Sequence, residues 1–186
     1  MVSHIVGGGF GVVALVSCVI KAFLNQDVYQ IVSAFIYGFS MVILYTISSV
    51  YHGLVPPTAK KVMQIIDHCS IFILISGTYT PIALCTLRGA KTWLGWTIFG
   101  FVWGVSALGI TLNAIDLKKY NVFSMICYLV LGWCIVLPGK TTLNILPKNS
   151  FLLLLLGGLL YTFGAVLYAI AGSKVHRYMH SVFHIF

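Results

Sequence analysis

The chain has 186 residues, of which 60% are hydrophobic and only 8% are charged, and its formal net charge is +8. A soluble domain carries about 25% charged residues, so this chain has too few to cover a water-facing surface. The composition excludes an ordinary soluble globule, a disordered chain and a nucleic-acid-binding protein, and it leaves a polytopic membrane protein. Glutamate is absent and the acidic residues are Asp27, Asp67 and Asp116. A mechanism built on paired carboxylates is therefore nearly excluded, as is a His-Glu-x-x-His zinc helix.

Seven apolar runs follow one another along the chain. The first six are each close to the roughly 20 apolar residues that a transmembrane helix needs. The seventh is too short to cross a bilayer at about 1.5 Å per residue, so we expect a truncated helix or one that enters the membrane only partway. The sequence thus predicts an all-α, seven-helix transmembrane bundle that forms a single domain over residues 1–186. The predicted helices cover residues 5–23, 28–51, 65–87, 92–115, 120–137, 150–172 and 174–186.

Glycines, a proline and cysteines lie within these runs. Gly7 and Gly11, and again Gly100 and Gly104, have the Gly-x-x-x-Gly spacing that lets helix backbones approach closely. Helix packing within one bundle is the interpretation we favour for both pairs. Pro81 lies inside the third run and is expected to kink that helix. The five cysteines form no Cys-x-x-Cys pair, and we expect buried free thiols.

The basic residues give a small preference for one orientation. If the N-terminus is cytoplasmic, slightly more of the eleven Lys and Arg residues lie on the cytoplasmic side. We therefore expect a multi-pass protein of the cell membrane with its N-terminus in the cytoplasm. Its expected partners are membrane lipids and not nucleic acid, and the sequence does not predict an oligomeric state.

All six histidines fall toward one side of the predicted bundle, since odd helices begin and even helices end on the same face. His52 ends the second helix, while His180 and His184 begin the seventh. The last two are four residues apart, so they share one helix face and can present two imidazoles to one metal. Together with His52 they would form an open, tetrahedral Zn²⁺ site with water in the fourth position. Asp67 is at a similar depth and would hydrogen-bond that water or orient a histidine.

Simpler interpretations of the same residues stay open at this point. A histidine pair at a helix end is more often an interfacial polar pair than a metal site. Asp67 could be the N-cap of the third helix, because its carboxylate can accept backbone N–H groups there. His176 extends the histidine stripe by one turn and competes for the ligand role. His4, His68 and His176 could each be an interfacial residue without a further role.

Several of these segments resemble the motifs of one membrane-protein family. Ser48-Ser49-Val50-Tyr51-His52 resembles the Ser-x-x-x-His element of the hemolysin III family, which belongs with the progestin and adipoQ receptors (PAQR). Ile66-Asp67-His68, followed by Gly77-Thr78-Tyr79-Thr80-Pro81, resembles the second motif of that family. His180-Ser181-Val182-Phe183-His184 resembles the third, and Ser3-His4 with the glycines after it resembles the first helix of bacterial members. The ordered set covers nearly the whole chain.

The resemblance implies a seven-helix bundle with its N-terminus inside and a zinc ion near the cytoplasmic face. Carried over, the zinc ligands are His52, His180 and His184, Asp67 contacts the zinc-bound water, and Ser48 lies beside the site one turn before His52. Members of the wider group are linked to ceramide-type amide hydrolysis and, in bacteria, to haemolysis. The chain lacks the acidic segment that usually precedes the first histidine and stops two residues after His184, so both ends look clipped.

We therefore expect a zinc-dependent hydrolase of a lipid amide in the bacterial inner membrane. A pore-forming cytolysin is the first alternative, although the predicted helices offer few polar residues to line a channel. A ligand-sensing receptor ranks lowest, because the sequence supplies no sizeable cytoplasmic domain for a partner.

Overall fold

The computed structural model describes residues 2–136 and 139–171, most of which are helical and none of which is in a β-strand. Among these residues, five helices are long and apolar enough to cross a membrane, and Asn121–Val136 is a shorter apolar helix. The chain is therefore an all-α polytopic membrane protein, as its composition predicts. The predicted seventh helix, residues 174–186, lies outside the described residues.

The chain divides into two compact units, residues 1–131 and residues 132–186. They are called the first and the second unit below, and the single domain expected over 1–186 stays a prediction. Neighbouring helices of the first unit pack in chain order, α1 on α2 and α2 on α3, and α5 also packs on α3. The helices are α1 Val2–Leu24, α2 Val28–Gly53, α3 Pro57–Pro81, α4 Arg88–Ala90, α5 Thr92–Asp116, α6 Asn121–Trp133, α7 Lys140–Ile145 and α8 Lys148–Ala171.

Helix α3 begins at Pro57, whereas the apolar run predicts a start near residue 65. Proline is favoured at the first position of a helix, because its φ is already helical and its missing N–H has no acceptor to lose there. Lys60 and Lys61 therefore lie in the first turns of the helix instead of in a loop. The helix is consequently longer at this end than its apolar part.

The turn between α1 and α2 is organised by Asp27. Gln26 just before it has φ 52°, a left-handed conformation that lets the chain reverse. The Asp27 carboxylate then accepts the backbone N–H groups of Tyr29 at 2.8 Å and of Gln30 at 3.3 Å. Asp27 is thus the N-cap of α2, and its negative charge lies at the positive end of that helix.

Pro81 changes the hydrogen-bond pattern of the third membrane span. A proline has no N–H to donate, so the regular ladder cannot continue through it. The next residues, Ile82–Leu87, form a π-helical segment, and the Arg88 N–H bonds to the Ala83 carbonyl five residues back. After Pro81 the helix therefore widens locally, which rotates the residues that follow, and the kink expected at Pro81 stays a prediction.

Small residues allow the helices of the first unit to approach closely. A Cβ added to Gly38 in α2 would lie 2.6 Å from the Leu15 Cα in α1, and one added to Gly109 in α5 would overlap the Phe72 ring in α3. Gly7 and Gly11 face Tyr45 and Met41 of α2, which confirms packing at the first Gly-x-x-x-Gly. Lipid tails are as apolar as the helices, so burial of apolar surface does not hold membrane helices together. Close van der Waals packing of this kind therefore contributes much of the association.

The second Gly-x-x-x-Gly differs from the first. A Cβ added to Gly100 or Gly104 would meet no atom within 4 Å in the described part of the chain. The packing predicted for this pair is therefore not formed with any described residue.

Large apolar side chains are exposed on the outer surface, as expected for lipid-facing helices. They include Phe10, Val13, Phe35, Phe101 and Leu108.

The second unit contains two helices that the sequence analysis treats differently. Helix α8, Lys148–Ala171, corresponds closely to the predicted run 150–172. The short helix α7, Lys140–Ile145, is not predicted, because it has few apolar residues and follows a Pro-Gly sequence, which indicates a turn. Trp133, which belongs to this unit, donates from Nε1 to the Thr162 Oγ1 at 2.9 Å.

Candidate functional site

His52 lies in the last turn of α2 and is held by its own helix. Its Nδ1 is 2.9 Å from the Ser48 carbonyl oxygen, one turn earlier. A carbonyl oxygen can only accept a hydrogen bond, so Nδ1 carries the proton and the lone pair of the neutral ring is on Nε2. Ser48 itself is 3% exposed. This bond fixes the tautomer of His52, and the backbone carbonyl of any residue at position 48 could accept it.

His52 and His4 stack on each other, and two tyrosine rings lie next to them. The His4 ring stacks on the His52 ring with centroids 5.3 Å apart, and Tyr51 meets His52 edge-on at 4.8 Å. Tyr45 lies 6.2 Å from the His4 ring. His4 is only 6% exposed, so its ring is buried against α2, and the interfacial position considered for it stays a prediction.

A sequence signal for the position of His4 does exist. His4 precedes Gly7 by three residues and Gly11 by seven, so all three share one face of α1. The two glycines face α2, which places His4 on the same side and next to the end of that helix. The glycine spacing therefore indicates which neighbours His4 has, although it does not indicate their chemistry.

Asp67 lies inside α3, well after the helix start at Pro57. The alternative in which Asp67 caps this helix is therefore wrong, because the backbone N–H groups near it are already within the helix. Its side chain is half-buried. Its backbone carbonyl accepts the Ser70 hydroxyl at 2.6 Å. A carboxylate in the interior of a membrane helix is costly, which favours a functional role.

The packing of α2 on α3 brings Asp67 and His52 to similar depths. The two helices are antiparallel neighbours, and a Cβ added to Gly77 in α3 would overlap the Ser40 hydroxyl in α2. Asp67 precedes Gly77 in α3 by ten residues, and residue 50 follows Ser40 in α2 by ten residues. Because the helices run in opposite directions, Asp67 lies level with residue 50, which is between Ser48 and His52. Along the helix axes Asp67 is therefore within about 3 Å of His52.

A buried polar pair that the sequence analysis does not identify lies near the same level. Asn113 in α5 is fully buried, and its Oδ1 accepts the Ser124 hydroxyl of α6. Cys69 of α3 contacts the Ile110 carbonyl of α5 at 3.7 Å, which puts Asn113 within about one turn of the level of Asp67. The Asn113 Nδ2 has no hydrogen-bond acceptor within residues 2–136 and 139–171. Buried polar pairs in otherwise apolar helices are the signal that could have identified it.

His68 follows Asp67 but has different contacts. Its Nδ1 lies 2.8 Å from the Gln64 carbonyl, and its own backbone carbonyl accepts the Tyr128 hydroxyl at 2.7 Å. The ring is half-buried, and the second contact ties α3 to α6. These bonds give His68 a clear structural role.

The described part of the chain contains one of the three predicted zinc ligands, namely His52. His180 and His184, and the competing His176, lie outside the described residues. Within residues 2–136 and 139–171, no group of three or more His, Cys, Asp or Glu side chains could hold a metal ion. The tautomer of His52 nevertheless fits a metal ligand, because its Nδ1 donates to a carbonyl and its Nε2 carries the lone pair.

Comparison with known proteins gives one consistent family. The sequence model of a family described as "Haemolysin-III related" matches residues 1–186. Hemolysin-3 of Bacillus cereus is 34% identical over 185 residues, which are 100% of this chain and 82% of that protein. The Hemolysin-3 homolog of Bacillus subtilis (strain 168) is 35% identical over 185 residues, 100% of this chain and 84% of that protein.

A more distant similarity extends to animals. The human Monocyte to macrophage differentiation factor is 25% identical over 181 residues, which cover 93% of this chain and 71% of that protein. No solved structure matches the sequence significantly.

Proposed function

Because the chain belongs to the haemolysin-III related family of membrane proteins, we propose that it is a zinc-dependent hydrolase of a lipid amide. The proposed ligands are His52, His180 and His184, with Asp67 as the proton-transfer group and Ser48 as a supporting residue. Bound zinc would polarise the amide carbonyl and lower the pKa of a coordinated water to about 7.

The observation that carries the proposal is the fixed tautomer of His52. The bond from Nδ1 to the Ser48 carbonyl leaves Nε2 as the nitrogen with the lone pair, and only such a nitrogen can coordinate a metal. Ligand histidines commonly use their second nitrogen in this way, which orients the ring before the metal arrives. Ser48 therefore acts through its backbone carbonyl, and its buried hydroxyl lies one turn from the ligand.

Asp67 has the properties of the base in this reaction. A water oxygen attacks the amide carbonyl carbon and gives one proton to the Asp67 carboxylate. The carbon–nitrogen bond then breaks, and the same proton passes to the leaving amine, so the products are a fatty acid and a free amine. The half-buried position of Asp67 at the level of His52 supports this assignment.

The proposed setting is the cell membrane, with the N-terminus and the histidines toward the cytoplasm. Membrane lipids would be both solvent and substrate source. The exposed apolar surfaces of the described helices fit such surroundings, since a substrate with acyl chains could reach the protein from within the bilayer.

Metal content of the purified protein is the direct test. Each of His52→Ala, His180→Ala and His184→Ala removes one of three imidazoles, and we expect each variant to lose nearly all of its zinc. His68→Ala is the matched control, because it removes an imidazole at the same end and should keep zinc. Mass spectrometry of the digested protein gives the metal-to-protein ratio. Full zinc in His184→Ala with loss in His176→Ala would move the ligand pair by one turn, and full zinc in His52→Ala would end the proposal.

Activity is a separate measurement. Wild-type protein in lipid nanodiscs should release fatty acid from a ceramide, and a chelator should abolish the release. Stable zinc binding without any release would leave a structural metal site and contradict the hydrolase.

A pore-forming cytolysin is the second candidate, because both Bacillus relatives are named for haemolysis. Among the described residues, the close packing of α1, α2, α3 and α5 argues against a channel through them. Conductance in planar bilayers that persists in His52→Ala would favour the pore over the enzyme.

A further inference from the structure

The end of the first unit opposite His52 carries a cation that forms no ion pair with a described acidic side chain. Arg88 lies there, in the turn α4 that follows the π-helical segment, and is half-buried. Its Nε donates to the Leu84 carbonyl at 2.8 Å, and its guanidinium carbon lies 3.5 Å from the centroid of the Tyr29 ring. Two contacts therefore hold the guanidinium in place, while neither offers it a negative charge.

Asp27 is the acidic residue at this end, and its charge and that of Arg88 both act on the Cys85 thiol, but its carboxylate already accepts three hydrogen bonds. It accepts two backbone N–H groups at the start of α2 and also the Gln30 Nε2 at 3.3 Å. Within residues 2–136 and 139–171, Arg88 forms no ion pair, and its bonded partners are the Leu84 carbonyl and the Tyr29 ring. The terminal N–H groups of the guanidinium are therefore not committed to a described residue.

Two further positive groups lie beside Arg88. A Cβ added to Gly95 would be 2.5 Å from the Arg88 backbone nitrogen, so the first turn of α5 lies directly against Arg88. That helix has no side-chain cap at its N-terminus, and the exposed Lys91 precedes it. The partial positive charge of a helix start thus lies against the Arg88 backbone, and Lys91 follows Arg88 by three residues.

The surrounding aromatic residues place Arg88 at the level of lipid headgroups. Trp93 and Trp96, in the first two turns of α5, are 67% and 47% exposed, and Tyr29 is also exposed. Trp and Tyr side chains concentrate where the hydrocarbon core meets the headgroups. A guanidinium at this depth would be close to lipid phosphate groups.

From this arrangement we propose that Arg88, assisted by Lys91 and the start of α5, binds the phosphate group of an anionic phospholipid. A guanidinium offers paired N–H donors that match two phosphate oxygens, and a ring beneath it restricts its orientation. The aromatic belt favours a lipid over free phosphate, since the acyl chains can lie along the exposed apolar helices. This site lies at the other end of the first unit from His52 and does not depend on the proposed hydrolase.

Lipid retention measured by native mass spectrometry tests the proposal. Wild-type protein is released from nanodiscs of equal phosphatidylglycerol and phosphatidylcholine, and we expect it to retain phosphatidylglycerol selectively. Arg88→Gln should weaken that retention about tenfold, which corresponds to the loss of charge-assisted hydrogen bonds. Arg88→Lys keeps the charge but not the paired donors and should show an intermediate loss, as should Tyr29→Leu. Lys118→Gln removes one positive charge at the opposite end and is the matched control.

Three outcomes would overturn the lipid site. One is retention of phosphatidylglycerol by Arg88→Gln at the wild-type level, which would make Arg88 only an interfacial anchor. Another is an equal loss in Lys118→Gln, which would indicate general attraction by net charge. The third is displacement of the lipid by millimolar glycerol phosphate, which would assign the site to a soluble phosphate. Normal circular dichroism and gel-filtration profiles of Arg88→Lys keep the test valid if Arg88→Gln folds poorly.

Discussion

Asp67 is the residue whose chemistry can be separated most cleanly from its structural role. Asparagine has nearly the same shape and is tolerated at a half-buried helical position, but it cannot accept a proton from water at neutral pH. We expect Asp67→Asn to fold and to hold most of its zinc, and to lose ceramide hydrolysis by roughly 10²–10⁴-fold, as is typical of a missing general base. Zinc content and initial rates are measured on the same preparation.

Asp116→Asn is the matched control, since this exposed carboxylate accepts the backbone N–H groups of Lys118 and Lys119 in a loop. Asparagine can make the same two bonds, so hydrolysis should be unchanged. Wild-type rates in Asp67→Asn with zinc fully bound would remove Asp67 from the mechanism.

The sequence points to His52, Asp67 and Ser48 as candidates because their spacing forms motifs within single helices. It does not identify the neighbours that packing adds. His4 contacts His52 because α1 packs on α2. Arg88 contacts Tyr29 from a position just beyond the π-helical segment, which changes the rotation of the end of the third span. Contacts between helices depend on rotation and depth, which a single sequence specifies poorly.

At the scale of helices, the space around each glycine distinguishes helix faces that pack on a neighbouring helix from faces that do not. Gly38 lies against the Leu15 backbone, where a methyl group would be 2.6 Å from Cα, and neither backbone can move far. We expect Gly38→Ala to destabilise the protein by about 1–3 kcal/mol, the usual cost of overpacking. Gly100→Ala is the control, because its added methyl group meets no described atom within 4 Å.

Alanine is also the better helix former, so Gly100→Ala should be neutral or slightly stabilising. Unfolding in mixed micelles, followed by circular dichroism, gives both values. Equal stability of the two variants would show that α1 and α2 do not pack as closely as the Gly38 contact implies.

The helices themselves are predicted well and their ends less well. Long apolar runs give α1, α2, α5 and α8 to within a few residues. Hydropathy does not predict the start of α3 at Pro57, because the first turns of this helix contain two lysines. The π-helical segment is not predicted either, since Pro81 indicates a kink and not a change in the hydrogen-bond pattern of the residues after it.

At the scale of the whole chain, the order of the spans determines which termini and loops share a side. The turn at Leu54–Pro56 and the turn after Asp116 are separated by two spans, so both must face the same side of the membrane. The turns at Asn25–Asp27 and at Lys91 must face the other. The zinc proposal requires Lys174 to share the side of His52, because His180 and His184 begin the run that follows it.

Cysteine labelling in intact cells tests this arrangement. Val55→Cys, Lys118→Cys, Gln26→Cys and Gly89→Cys are each placed in a background in which the five native cysteines, all free thiols, are replaced by alanine. With the N-terminus in the cytoplasm, a membrane-impermeant maleimide should label the cysteines at 26 and 89 in intact cells. It should label those at 55 and 118 only after permeabilisation, because they then face the cytoplasm.

The pattern of labelling separates orientation from topology. Labelling of 55 and 118 together in intact cells, with 26 and 89 protected, would reverse the orientation and leave the helix order intact. Labelling of 55 and 118 from opposite sides would break the pairing of spans on which the depth of His52 and Asp67 depends. Lys174→Cys completes the test: it should behave like Val55→Cys. If it is labelled from the other side, His52 cannot share a metal with His180 and His184, and the zinc site is wrong whatever the metal content of the protein.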